Sequence, residues 1–370
     1  MHPTALTYAL SLQRSSYIGP INARKLITHC GSAEQVLKSS KSTLSKIPGI
    51  GDRAIRSIHY RENMIAAERE LRFMQDHNIK GIYFESASYP NNLRQCIDAP
   101  IVLFQKGNIE WNQKRIVSIV GTRNPSSYGI EQCEKLICDL KEFNPVIVSG
   151  FAYGIDICAQ QIALENKLET VGCLAHNLRD TYPKSHINYR DAIEKGGGFI
   201  SEFWSDSIFL KSNFVQRNRI IAGISEATVV IESPLRGGSL ITANFAFDYQ
   251  REVFAIPGRN NDVSSQGCNS FIKGQKAHLL TSVQDLAENL NWLKEPIIEQ
   301  QSQQIKVMLE GEELEVYNFL AACGRSSIDM IAMGSNLTLS KVAGILIKLE
   351  LKQLIRPLAG KEFELIKKMQ

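Results

Sequence analysis

Residues 115–156 read RIVSIVGTRNPSSYGIEQCEKLICDLKEFNPVIVSGFAYGID. RIVSIVG is a short β-branched run that stops at a glycine. A helix-length amphipathic segment, IEQCEKLICDLKEF, follows, and PVIVSG then repeats the run and its glycine stop. Strand, helix and strand at this spacing predict a parallel βαβ unit, because a crossover of that length returns the chain in the same direction. The same alternation continues through ETVGCLA (169–175), FISEF (199–203), ATVVIES (227–233) and EVFAIPG (252–258), with LITANFAFDYQR (240–251) among the intervening helices. AHLL (277–280) is an expected edge strand. From Arg115 to about Leu290 the chain therefore reads as an α/β domain. The expected core is a mostly parallel sheet with helices on both faces.

Outward from this core the pattern changes. GIYF (81–84) and IVLFQKG (101–107) are strand-like pieces of a connector that leads into the sheet, and residues 76–294 are expected as one domain. Residues 1–75 read as short helices (LTYALSL, INARKLITHC, SAEQVLKSS), then a longer amphipathic stretch from Asp52. Ile47–Ile55, IPGIGDRAI, has the glycine turn of a helix-hairpin-helix, loosely echoed by YIGPINARKLI (17–27). Such a turn lets backbone N–H groups approach a phosphate, but it equally serves as an ordinary tight turn in a small helical module that touches protein. A polar, Gln-rich linker is expected over 295–310, around EPIIEQQSQQIKV. Residues 311–370 read as three helices (ELEVYNFLAA, SSIDMIAMG, TLSKVAGILIKLELKQL) and a hairpin (LIRPLAG, EFELI), the order of a winged helix. Its third helix carries only Lys341, Lys348 and Lys352 against Glu350, which favours a protein contact or weak DNA binding.

Composition narrows the class. The chain has 370 residues, 44% hydrophobic and 22% charged, which fits a multidomain globular protein. A formal net charge of +4 permits an anionic partner without requiring one, so the positions of the charges matter. The eight cysteines (Cys30, Cys96, Cys133, Cys138, Cys158, Cys173, Cys268, Cys323) contain no CxxC pair and read as free thiols in a reducing compartment. MHPTALTYALSLQRSS lacks the cationic start and apolar run of a signal peptide, and no apolar stretch approaches 18 residues. A cytoplasmic protein is expected.

Three glycine turns follow strands and open helices: GTRNPSSYG (121–129), SGFAYGID (149–156) and ESPLRGGSLITAN (232–244). Ligands of open α/β sheets bind beyond the carboxyl ends of the strands, where N–H groups at helix starts favour an anion. Gly121, Ser149, Gly150, Gly154, Gly238 and Ser239 are therefore candidate phosphate-cradling residues, with Arg123 and Arg236 adding charge. None of the turns is a strict GxGxxG or a Walker A, so no nucleotide cofactor is expected. The fourth element is FLKSNFVQRNRIIAGIS (209–225), where Lys211, Arg217 and Arg219 surround Phe214 with no acid among them. An aromatic ring among bases suits single-stranded nucleic acid, since the ring stacks an unpaired base while cations take phosphates. In the competing reading, Phe214 is core and the arginines, opening an apolar helix, pair with carboxylates such as Asp156 or Glu202. Catalytic signals are thin: Asp156 and Glu202 form no evident acid–base pair, Asp156 reads as a brace for the helix after Gly154, and no GxSxG elbow occurs. The seven histidines, His176, His186 and His278 among them, show no metal-ligand spacing.

GTRNPSSYG, SGFAYGID, Tyr182–Pro183, GGGFISEF (196–203), FVQRNRIIAGIS (214–225), GGSLITANFAF (237–247) and REVFAIPGRNNDVSSQGCNSFIKGQKAHLL (251–280) together resemble the ordered motif series of the DprA/Smf family. The resemblance spans about half the chain. It implies a Rossmann-like domain without dinucleotide or other cofactor, a SAM-like N-terminal module and a C-terminal winged helix. It further implies a non-enzymatic single-stranded DNA-binding mediator that protects incoming DNA, loads the RecA recombinase during natural transformation, and dimerises through the central domain. The implied DNA site comprises Arg123, Lys211, Phe214, Arg217, Asn218 and Arg219. Tyr153 stands where the family usually has Arg, Gln160 lies near a common His, and Gly237 replaces a common Ser. The rival class is a Rossmann-like nucleotide-processing enzyme such as a phosphoribohydrolase, but PLRGGSLIT lacks the register and the acid of the PGGxGT motif. A pure protein adaptor is a third reading.

Overall fold

A computed structural model describes residues 4–292, 309, 311–352, 354–358 and 362–365. It divides into two compact units, Met1–Leu293 and Lys294–Gln370. The expected linker, apart from residue 309, lies outside the described residues.

The first unit is organised by one nine-stranded sheet. Its strands are β1 (Lys80–Tyr83), β2 (Val102–Gly107), β3 (Ile116–Val120), β4 (Val146–Ser149), β5 (Thr170–Cys173), β6 (Gly197–Ser201), β7 (Ala227–Val230), β8 (Glu252–Ala255) and β9 (His278–Leu279). They lie in the order β1-β2-β6-β5-β4-β3-β7-β8-β9. From β6 to β9 every pairing is parallel, whereas the connector strands β1 and β2 add an antiparallel edge beside β6. The central strands are buried along their whole length, which is why they read as continuous apolar runs rather than alternating ones.

Helices cover both faces. Ile220, Ile221, Leu240, Ala243, Cys268 and Phe271, from the helices Ser212–Ile224, Ser239–Asp248 and Gln266–Lys273, pack on one side. Cys133, Leu136, Ile155, Ala159 and Leu286, from Ser127–Leu140, Ile155–Glu165 and Val283–Asn289, fill the other. This is the α/β, Rossmann-like core. The chain enters the parallel sheet at β3, winds outward through β4, β5 and β6, then crosses back to lay β7 on the other flank of β3. The strand order reverses there, and loops leaving β3 and β7 diverge to open a crevice.

The N-terminal helices share a core with the edge of the sheet: Ala9, Leu10 and Leu26 join Val102, Phe104, Phe199 and Trp204. The IPGIG turn opens the helix Asp52–Ile58 with Gly51 as its N-cap, and Gly49 takes φ 82. Asp52, in the first turn of that helix, already sets a negative charge against its dipole.

The second unit carries helices Glu312–Cys323, Ile328–Gly334 and Leu339–Leu351, and three strands, β10 (Ser326–Ser327), β11 (Ile355–Leu358) and β12 (Glu362–Leu365), in the order β10-β12-β11. Val316, Leu320, Ile331, Val342, Leu346 and Ile355 form its core. Among the described residues no single helix is long and apolar enough to cross a membrane.

Candidate nucleic-acid pocket

The crevice at the β3–β7 reversal holds a pocket of about 410 Å³. Gly121, Thr122 and Arg123 line it from the turn after β3, Ala152 and Asp156 from the turn after β4, and Phe214, Arg217 and Asn218 from the helix Ser212–Ile224. Gly237, Gly238, Ser239 and Thr242 close it from the turn after β7. Segments separated by more than a hundred residues thus meet at one mouth.

The three turns contribute differently. At the turn after β3 the start of the helix Ser127–Leu140 is already occupied: the Glu232 carboxylate accepts from the Ser126 backbone N–H at 2.8 Å and from Ser126 Oγ at 2.7 Å. The anion expected there is supplied by the protein itself, and Arg123 of the same turn is exposed. Gly121 sits against Ile155, so a side chain at that position would drive into the helix it packs on.

In the turn after β4, Ser149 is fully buried and donates to the Ile119 carbonyl at 2.7 Å, pointing away from the pocket. Gly150 uses its carbonyl to accept from Arg217. Gly154, at φ 77, lies against the Thr122–Arg123 backbone, where any Cβ would collide. Phe151 also takes a left-handed φ of 55, a conformation favoured by glycine, and is held there by its ring packing on Phe199 and His186. Asp156 is buried at the start of the next helix. Burial pushes its carboxyl up, against the pull of Arg217 and of backbone N–H groups at Ala152 and Gly150. It braces the turn.

The turn after β7 presents free backbone donors to the pocket. The backbone N–H groups of Gly238 and Ser239 carry no hydrogen bond among the described residues, and they open the helix Ser239–Asp248. Such groups at a helix start attract an anion. Ser239 Oγ donates to Ser233 Oγ at 2.8 Å, so its hydroxyl is spent on holding the loop.

The basic segment is helical earlier than its sequence suggests. The helix begins at Ser212, so Arg217–Asn218–Arg219 lies in its middle rather than at its start. Lys211 is the exposed N-cap residue, and Phe214 is partly exposed at the pocket wall. The Arg123 guanidinium lies over the Phe214 ring at 5.3 Å, and Arg217 lies 6.0 Å from it. Arg217 is only 3% exposed and donates to the carbonyls of Gly150 and Cys173. Asn218 accepts from Arg217 Nε at 3.2 Å. Arg219 turns away from this pocket: at 6% exposure it is ion-paired with buried Glu202 and donates to the Asp98 carbonyl. Of the two readings of the arginines, the carboxylate pairing describes Arg219. Helical geometry separates residues two apart by about 200°, so Arg217 and Arg219 face opposite ways.

Asp156 is the acidic residue lining the pocket, and the nearby Glu232 is engaged with Ser126. Among the described residues no group of three or more His, Cys, Asp or Glu is placed to hold a metal ion. Tyr153 is 46% exposed, its hydroxyl accepts from Ser185 Oγ at 3.2 Å, and its ring meets His186 edge-on at 5.1 Å. Sequence reasoning overlooked Phe209 and Tyr182, which stand beside Phe214. Phe209 lies within the basic segment and could have been flagged there. Tyr182 is brought in from a distant loop, so nothing local in its sequence places it beside Phe214.

Gln160 is fully buried, and neither amide atom has a partner. An unpaired buried amide costs on the order of 1–3 kcal/mol. Gln160→Met, of similar volume, is therefore expected to raise stability by about 1 kcal/mol, read as a higher urea midpoint at unchanged slope. An unchanged or lower midpoint would mean that the amide is satisfied.

Residues 80–291, which include the whole sheet and the pocket, match the DNA recombination-mediator protein A family. The chain belongs to that family. It is similar to the DNA processing protein DprA of Streptococcus pneumoniae, with 41% identity over 198 residues, 54% of this chain and 70% of that protein. The DprA of Bacillus subtilis is 36% identical over 223 residues, covering 60% and 75% respectively. Among solved structures, S. pneumoniae DprA superposes with a TM-score of 0.67 at 31% identity, covering 76% of this chain and 97% of that one. DprA of Helicobacter pylori, studied for its single-stranded DNA binding mode, gives a TM-score of 0.52 at 28% identity, covering 58% and 96%. The DprA/Smf resemblance of the motif series is thus the family to which this chain belongs.

Proposed function

We propose that this chain is a recombination mediator that binds single-stranded DNA at the β3–β7 crevice. The observation that carries the reading is the convergence of Arg123, Phe214 and the free N–H groups of Gly238 and Ser239 on one pocket. A ring for a base, a cation and backbone donors for phosphate are what an unpaired strand needs. Family membership and the DNA-binding relative from H. pylori support it. Arg123, Lys211, Phe214 and Asn218 are assigned to DNA contact. Arg217 and Arg219 act as positioning residues, one holding the turn after β4 and the other anchoring the helix through Glu202. The chemistry assigned is binding without a catalytic step, with buried Asp156 bracing the turn after β4. The rival phosphoribohydrolase reading would need an acid on the turn after β7, where Glu232 is already committed to Ser126.

The biological reading is protection of incoming DNA and loading of RecA onto it in natural transformation, by a cytoplasmic homodimer joined through the Rossmann-like domain. The 311–370 region is assigned as a winged helix on its three helices and three-stranded sheet, with protein contact as its role. Residues 1–75 are assigned as a SAM-like module, 76–294 as the DNA-binding domain and 295–310 as the linker.

The deciding experiment titrates a labelled oligothymidine and a duplex of equal length across salt. Preference for the single strand, with affinity falling as salt rises, is expected. No binding by folded protein at low salt would overturn the proposal and direct a screen of nucleotides as substrates. Arg123→Ala should lower the slope of log affinity against log salt by about 0.7, the share of one phosphate on a single strand. An identical slope would take Arg123 off the phosphate path.

A further inference from the structure

Beside the pocket, three aromatic rings from two distant segments, Tyr182 from one and Phe209 and Phe214 from the other, meet at the surface. Phe209 and Tyr182 are 45% and 41% exposed, with ring centroids 4.8 Å apart. Each also reaches Phe214, at 5.5 Å and 5.7 Å. Buried His176 backs Phe209 at 5.8 Å, and its Nδ1 is tied to the Asn177 carbonyl at 2.8 Å. The apolar surface continues through Ile208 and Leu210, both more than half exposed. An exposed cation, Arg123, lies over Phe214, and exposed Lys211 follows Phe209 by two residues in sequence. Arg179 and Lys184 flank Tyr182 in sequence, with Arg179 paired to Asp180.

Exposed rings of this kind are costly to hydrate, and cations beside them suit a ligand carrying both flat π faces and phosphates. We propose that Phe209 and Tyr182 form a second nucleobase subsite, which receives the base next to the one stacked on Phe214. The proposal rests on the single-strand reading of the pocket and extends it by one nucleotide. The geometry adds a constraint. The Phe209 and Phe214 rings are inclined at 75°, so bases lying flat on the two cannot stack on each other. The strand must bend between them, with its two bases splayed. The surface is continuous with the pocket through Phe214 itself, which favours the same DNA strand over a separate protein as its occupant.

The test uses the full chain, oligothymidines of increasing length, and an oligothymidine carrying two adjacent 2-aminopurines. Wild type should abolish the exciton circular dichroism of the stacked 2-aminopurine pair on binding. Phe209→Ala should weaken binding about 5- to 10-fold, within the range for one base stack, and lengthen the shortest oligonucleotide bound by one nucleotide. It should leave the exciton signal largely intact at saturation. Phe209→Trp, which keeps a ring, should restore affinity, whereas Phe209→Leu should not. Wild-type binding that Phe209→Ala leaves unchanged, with the exciton signal lost in both, would overturn the second subsite but leave the Phe214 site standing. A change in sedimentation with no change in DNA affinity would identify the surface as a contact between copies, also overturning it. Failure of wild type to bind any single strand would remove both this proposal and the reading beneath it.

Discussion

Arg219→Ala is expected to lower the unfolding free energy by about 3–5 kcal/mol, the usual result of leaving one member of a buried ion pair alone. Glu202 would then be a buried carboxylate whose Oε2 has lost its guanidinium and whose Oε1 has no partner. Burial already pushes this carboxyl up, with Arg219 opposing the shift. The Asp98 carbonyl would lose its donor as well. Replacing both partners by apolar residues, Arg219→Met with Glu202→Leu, should recover most of the loss, because no isolated charge then remains. Urea titration followed by tryptophan fluorescence measures this directly, since Trp111, Trp204 and Trp292 all lie in the first unit. A cost below about 1 kcal/mol, the scale of exposed pairs, would show that the pair is not structural and return Arg219 to the list of DNA contacts.

Phe214→Ala is expected to weaken single-strand binding by about 1–3 kcal/mol, roughly 5- to 150-fold, while leaving the salt slope unchanged. The substitution removes a stacking surface and no charge, so affinity should fall equally at every salt concentration. Arg123→Ala should behave the other way, with an effect that shrinks as salt rises. The contrast separates a ring that stacks from a ring that merely supports Arg123 across 5.3 Å. If Phe214→Ala also flattened the slope, its effect would be traced to a displaced Arg123. If affinity were unchanged in folded protein, the stacking role would be gone.

Much of the core was legible in the chain itself. β3, β4, β5 and β7 are buried on both faces, so their β-branched runs stand out against the amphipathic segments between them. Glycine turns after β3, β4 and β7 marked the pocket rim for the same local reason: each must reverse the chain within a few residues and open a helix. The separate duties of those turns were not legible. Whether a helix start is vacant depends on what lies across from it, and Glu232, over a hundred residues from Ser126, fills one of them. The two arginines of the basic segment look equivalent in sequence, yet one joins the pocket wall and the other a buried pair.

What the sequence determined alone is therefore the periodic part: the order of strands and helices, the placement of glycine turns, and membership in a family defined by an ordered motif series. These follow from spacing along the chain, through side-chain alternation, helical pitch and the steric freedom of glycine. The tertiary structure decided which groups are left over to meet a ligand. Hydrogen bonds and ion pairs form between segments far apart in sequence, and they consume Ser149, Glu232 and Arg219 while leaving Arg123, the Gly238–Ser239 N–H groups and the exposed rings of Tyr182 and Phe209. Availability is a property of the partners a group has already found, and those partners are set only when the chain has folded.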